Sequence, residues 1–212
     1  MSSTMDALEA LTVGMARQVQ QWLPAVTPER YIAFLDMMYH YTARSGERLR
    51  WAAARTTLPG LQAFFSELAG EEQEHYRLAE ADLAAFGRTP SVTTPREVSD
   101  FHAFWEGIDE AHQLAFLGAL VVLEGVADHL QGESRQVLGR LGLERKHTRF
   151  LLVHLEVDTE HGARARQLCE ALGSAHPELL LEGARAAAGF WVALHRRALS
   201  PGTGSNAQVP QE

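Results

Sequence analysis

One cysteine, Cys169, stands among 212 residues, so no disulfide can close within the chain, and the composition suits a reducing compartment. Basic residues are also scarce. Lys and Arg number 19 against 27 Asp and Glu, a formal charge of −8 that excludes the basic surface nucleic-acid binding requires. Long hydrophobic runs are missing as well: the best, LAFLGALVVLEGVA, is about 14 residues and carries a glutamate, short of the roughly 20 that cross a bilayer. The opening MSSTMDALEA has neither a basic start nor an apolar core, so no secretory signal is expected. Alternating strand patterning is absent throughout. These absences lead to the expectation of a soluble cytoplasmic, all-α protein with no nucleic-acid or membrane partner. At this length one compact domain buries about 70% of its extended surface without external staples.

Helical periodicity covers most of the chain. A first helix is predicted over 5–22, before Pro24. A second opens at Thr27, where TPER offers an N-cap, a first-turn proline and a glutamate, and runs to about 55 with a bend at Gly46. A third covers 61–86 and ends at Gly87; a fourth covers 97–130, broken near 107 and closed by Gly132, with a short piece at 133–139. A long helix is expected from Leu143 to 171–173, and a last one from Pro177. Residues 1–200 then form one helical bundle domain, and the Gly/Ser/Pro/Gln-rich tail 201–212 is expected to be disordered.

Three places put polar groups on faces that should be apolar. In HLEVDTEH, Asp158 and His161 fall within roughly 40° and 20° of His154 around a helix. Phe150, Leu151, Val157 and Leu168 flank this stripe, while Arg149, Glu156 and Glu160 lie opposite. In AFLGALVVLEGVADHL, apolar nearly all round, Glu124 has no easy route to water, and Asp128 follows one turn later. In EEQEHYRLAEADL, Glu72 shares the face of Leu61, Phe65, Leu68, Ala79 and Leu83, Glu71 lies at its edge, and Glu72 with His75 makes an ExxH pair able to hold one ion. A buried carboxylate costs several kcal/mol unless compensated. Glu72, His75, Glu124, His154, Asp158 and His161 together make three carboxylates and three imidazoles, a set that fits two divalent ions, with iron or manganese favoured over zinc. His40, beside Tyr39 and Tyr41, reads as aromatic packing, with Glu47 a weak further ligand. Phe150, Leu120 and Trp105 are candidate pocket residues.

The order ExxH, isolated glutamate, HxxxDxxH resembles that of the heme-oxygenase-like diiron oxidases and oxygenases, often labelled iron-containing redox enzymes. EEQEHYRLAEADLAAFG is similar to their EExxH…DLxxxG stretch, LGALVVLEGVA to their central glutamate helix, and HLEVDTEHG to their final ligand motif, over roughly residues 30–172. The resemblance implies a bundle of about seven helices, shared with TenA-type thiaminases and the pyrroloquinoline quinone synthase. It implies two Fe(II) ions, one held loosely, with Glu72, His75 and His161 on one and Glu124, His154 and Asp158 on the other. It further implies O2 as co-substrate, an external electron donor, and a small organic substrate of the amino acid, amine or fatty acid class, in specialised metabolism; a homodimer is compatible with it. One departure stands out: several members place a glutamate seven residues before the histidine, where this chain has Leu68. The rival readings are a cofactorless quinone-synthase-like oxidase, a TenA-like hydrolase using Cys169, and a non-catalytic metal-binding bundle.

Overall fold

The structure, a computed structural model, describes residues 3–107, 112–172 and 175–201. Among these it contains α-helices and short 3-10 turns and no strand: α1 Thr4–Gln20, α2 Pro28–Thr42, α3 Ser45–Arg55, α4 Pro59–Glu71, α5 Tyr76–Ala85, α6 Arg96–Glu106, α7 Gln113–Arg140, α8 Arg149–Leu172 and α9 Pro177–Leu199. Two pairs, α2 with α3 and α4 with α5, are long helices interrupted by a few residues, so the described segments make the expected seven-helix bundle. The tail 202–212 lies outside the described residues.

Local signals set most boundaries. Ser3 and Asp6 cap α1 reciprocally, and Thr27 accepts from the Arg30 amide with Pro28 in the first turn of α2. Gly87 and Gly142, at φ 68° and 63°, are the two left-handed positions among the described residues, and each closes the helix before it. Leu143 N donates back to Leu138 O at 3.3 Å across the second of these turns.

Several boundaries differ from expectation. The break in the second helix falls at Ala43 and Arg44, and Gly46 sits inside α3. Its role is close approach: a Cβ there would meet the Gln73 Cα at 3.0 Å and the Ala69 carbonyl at 3.1 Å. The predicted stop at Gly132 does not occur, because a mid-helix glycine costs only about 1 kcal/mol and burial of Leu130, Val137 and Leu138 outweighs it. The long helix starts at Arg149, after a 3-10 turn over Arg145–His147.

Helix α7 is the central element and packs most heavily against α9 and α8. By length and composition it could cross a bilayer, yet 78% of its most apolar window is buried inside the bundle. Glycines let the neighbours come close. A Cβ on Gly118 would lie 2.0 Å from the Leu180 carbonyl oxygen, and one on Gly183 1.7 Å from that of Ala115. One contiguous cluster of buried apolar side chains runs from Leu8 to Leu199.

Candidate metal centre

The ExxH pair does not lie on a continuous α-helix. Glu72 opens the 3-10 turn Glu72–Glu74, and His75 is the joint between that turn and α5. The tighter 3-10 winding stacks positions three apart, which aims both side chains the same way. Gly46 holds α3 against this joint, and the joint itself faces α8.

All six residues singled out in the sequence converge, in two groups of three. Ligand-capable atoms of Glu72, His75 and His154 lie within 4.8 Å of one another, and so do those of Glu124, Asp158 and His161. This grouping differs from the division implied by resemblance in the places of His154 and His161, and His161 Nδ1 lies between the two sets, 3.5 Å from Glu124 Oε2 and 3.7 Å from Glu72 Oε1. A helical face tells which residues point inward; which carboxylate each histidine meets depends on how far α8 is slid along α7 and the Glu72–His75 joint.

The polar atoms at this point lack partners of their own. Glu72 Oε1, His75 Nδ1, His154 Nε2, Asp158 Oδ1 and His161 Nδ1 are buried without a hydrogen bond. Glu72 Oε1 and His75 Nδ1 are 2.9 Å apart yet misaligned for hydrogen bonding. Buried polar groups are normally satisfied, because leaving one unpaired costs about 1–3 kcal/mol. Five such atoms converging from two chain segments, the Glu72–His75 joint and α8, fit side chains arranged about a shared ligand. A pair of divalent cations fits this donor set, since three carboxylates offset most of their charge.

The opposite edges of the rings are already fixed. His154 Nδ1 donates to the Phe150 carbonyl at 2.8 Å, which fixes the tautomer and leaves the Nε2 lone pair facing the site. His161 Nε2 donates to Glu71 Oε2 at 2.7 Å, and Arg164 holds the other Glu71 oxygen. Glu71 is therefore an exposed orienting carboxylate, and Glu72 is the inward one. Asp82, fully buried, accepts from the Phe150 amide at 2.9 Å, which ties the start of α8 to α5. The His75 and His154 rings then meet edge to face, 4.8 Å apart.

The crowded groups shift one another's titration. Burial, then the charges of Glu124 and Glu72, push Asp158 well above the ordinary carboxyl range. Burial and Glu72 likewise raise Glu124, although the neighbouring His161 opposes them. For Glu72 burial alone would raise the carboxyl, but His75 with the charges of His154 and His161 holds it below its usual value. Burial lowers His154 to about 4. Burial also opposes protonation of His161, yet Glu124 and its neighbouring carboxylates raise it to about 9.

Glu72, Glu124, His154 and Asp158 also line an internal cavity of about 160 Å³, whose remaining wall is mostly apolar. Phe150 and Leu120 line it as expected. Trp105 does not; it packs among Phe101, Phe104 and Phe116. Tyr41, named in the sequence only as a neighbour of His40, and Arg48 and His195, not singled out there, also reach it. His40 is elsewhere, 3.0 Å from the Ser91 hydroxyl, and Glu47 is exposed beside Arg44. Asp128 is exposed and accepts from Thr159 at 2.6 Å.

A bundle of this topology with inward carboxylates and imidazoles defines a heme-oxygenase-like protein with a candidate dinuclear metal site. The chain belongs to the iron-containing redox enzyme family, whose model matches residues 32–197. Solved structures share the fold at low identity. A domain of unknown function with a heme oxygenase-like fold from Shewanella denitrificans OS217 superposes with a TM-score of 0.75 and 15% identity, covering 92% of this chain and 88% of that one. A TenA homolog from Pseudomonas syringae pv. tomato str. DC3000 gives 0.72 and 14%, covering 92% and 90%. No curated protein matches significantly.

Proposed function

We propose that this chain is a non-heme diiron oxidase or oxygenase, acting in the cytoplasm on a small organic substrate with O2 as co-substrate and an external electron donor. Glu72, His75 and His154 would hold one Fe(II), and Glu124, Asp158 and His161 the other. The observation that carries this reading is the set of five unpartnered buried atoms on side chains whose outer edges are already oriented. Paired ferrous ions supply two electrons for the reduction of dioxygen beside a bound substrate. The chain's own part is to position and to exclude. Phe150 O and Glu71 hold the two imidazole rings in a set orientation before loading. Phe150, Leu120, Leu123 and Leu155 keep water from the reacting carbon.

The TenA-like alternative requires a thiol nucleophile, and nothing supports Cys169 in that role. It is 2% exposed, lies off the cavity wall, and burial pushes its thiol to about 11, so the thiolate is scarce at neutral pH. The test of the oxidase reading is oxygen consumption. Protein loaded anaerobically with ferrous iron should consume O2 faster than free ferrous ion and develop a transient visible absorbance. Consumption equal to free iron, or equal in Glu124→Ala, contradicts the reading.

A further inference from the structure

A half-buried guanidinium without an acid is the unexplained feature of the cavity. Arg48, on α3, has no carboxylate within ion-pair distance among the described residues; its NH1 meets His102 Nδ1 at 3.0 Å and its NH2 donates to Ser45 Oγ at 3.2 Å. Both partners are neutral acceptors. His102 Nε2 in turn donates to the His40 carbonyl at 3.2 Å, which fixes the tautomer that accepts from Arg48. The guanidinium also stacks on Phe101, 4.8 Å from the ring centroid. So the fork is held in place by three groups, none of which neutralises it, and buried charges are ordinarily paired.

Arg48 is the one Arg or Lys among the described cavity-lining residues, and the acids there are Glu72, Glu124 and Asp158. On the proposed diiron reading all three are committed to metal. The cavity then offers a fixed cation and no spare anion, so it suits a carboxylate and has nothing to receive an ammonium. Tyr41 and Arg48 line the same cavity as Glu72, Glu124 and Asp158. The remaining wall is apolar and ringed: His154, Phe150, Phe34, His195 and Trp191 are in successive ring contact. An apolar cavity of roughly 150 Å³ holds a benzene-sized guest, and this one, about 160 Å³, is of that class.

We propose that Arg48 anchors the carboxylate of a compact monocarboxylic acid, with an aryl ring or short alkyl chain lying in the cavity beside Glu124, His154 and Asp158. A planar fork matches a carboxylate with two parallel hydrogen bonds, which lysine cannot reproduce. This inference rests on the diiron reading for its exclusion of amino acids.

The test is calorimetric titration of the full chain, loaded anaerobically with ferrous iron, using 3-phenylpropanoate, its neutral amide and phenylalanine. Bound iron is counted in the same samples, so failure of metal loading is read separately from failure of ligand choice. Wild-type protein should bind the acid about tenfold or more tightly than the amide, and also more tightly than phenylalanine. Arg48→Met should bring acid and amide to near parity while leaving the affinity for the amide within about twofold. Arg48→Lys, which keeps the charge, should retain only part of the preference. Equal affinity for acid and amide in the wild type, no acid binding, or a preference that survives in Arg48→Met overturns the proposal; the wild-type comparison decides even where a variant fails to fold.

Discussion

A Cβ atom placed on Gly162 of α8 would lie 3.2 Å from the backbone nitrogen of Gly125 on α7. Gly125 directly follows Glu124 and Gly162 directly follows His161, so the two helices approach closely where those side chains meet. Gly162→Ala would push against backbone, which cannot rotate away as a side chain does. The expected result is a loss of about 1–3 kcal/mol in urea unfolding, typical of overpacking, with weaker iron binding at the Glu124 set. Gly183→Ala, whose Cβ would overlap the Ala115 carbonyl, should cost more, because α9 must separate from α7.

Glu71 orients His161 without facing the site. Glu71→Ala should lower iron affinity by about ten- to hundredfold, while Glu71→Gln, whose amide oxygen can still accept from Nε2, should lower it less. Circular dichroism should show an unchanged helix content in both. Equal iron affinity in wild type and Glu71→Ala would remove the orienting role.

Asp82 works at a distance from the metal atoms. Its carboxylate accepts from the first turn of α8, the turn whose carbonyl at Phe150 holds His154. Asp82→Ala should cost about 1–3 kcal/mol in stability through unsatisfied buried amides. It should also broaden the His154 imidazole signals in NMR, which a purely distant destabilisation would leave sharp.

His195 makes stability depend on pH. Burial lowers its imidazole to about 4, against 6.5 when exposed, with its Nδ1 donating to the Trp191 carbonyl. Between those values the unfolded chain binds the extra proton, so this contribution is fully present above about pH 6.5 and is lost as pH falls towards 4. By about pH 5 the loss is about 2 kcal/mol. Unfolding titrations of wild type and His195→Gln at neutral pH and at about pH 5 should show the stability difference shrink by that amount on acidification. A pH-independent difference would contradict it.

The sequence made the inward placement of the six polar side chains legible because each sits on an otherwise apolar helical face. That argument is local, since it needs only the 100° step per residue. It could not tell how the six divide between two groups, because that depends on axial offsets set by close contacts such as those at Gly46, Gly125 and Gly162. The ExxH pair looked helical because 3-10 and α windings both bring positions three apart together. The full length of α7 was hidden by Gly132, whose local cost is outweighed by packing at Val137 and Leu138. Arg48 carried a signal that went unread: it is three residues after Ser45 and four before Ala52, both buried, so it lies on the inward face of α3. Asp82 was visible only as part of a motif, with no role until α8 was seen above it.

Two ferrous ions are the proposed reason that these buried carboxylates and imidazoles converge. Anaerobic titration with ferrous iron, counted by metal analysis after desalting and by a competing chelator, tests this most directly. Wild type should bind close to two equivalents, the second more weakly, while Glu72→Ala and Glu124→Ala should each lose one. Binding of no iron by the wild type, or undiminished binding by both variants, would contradict it.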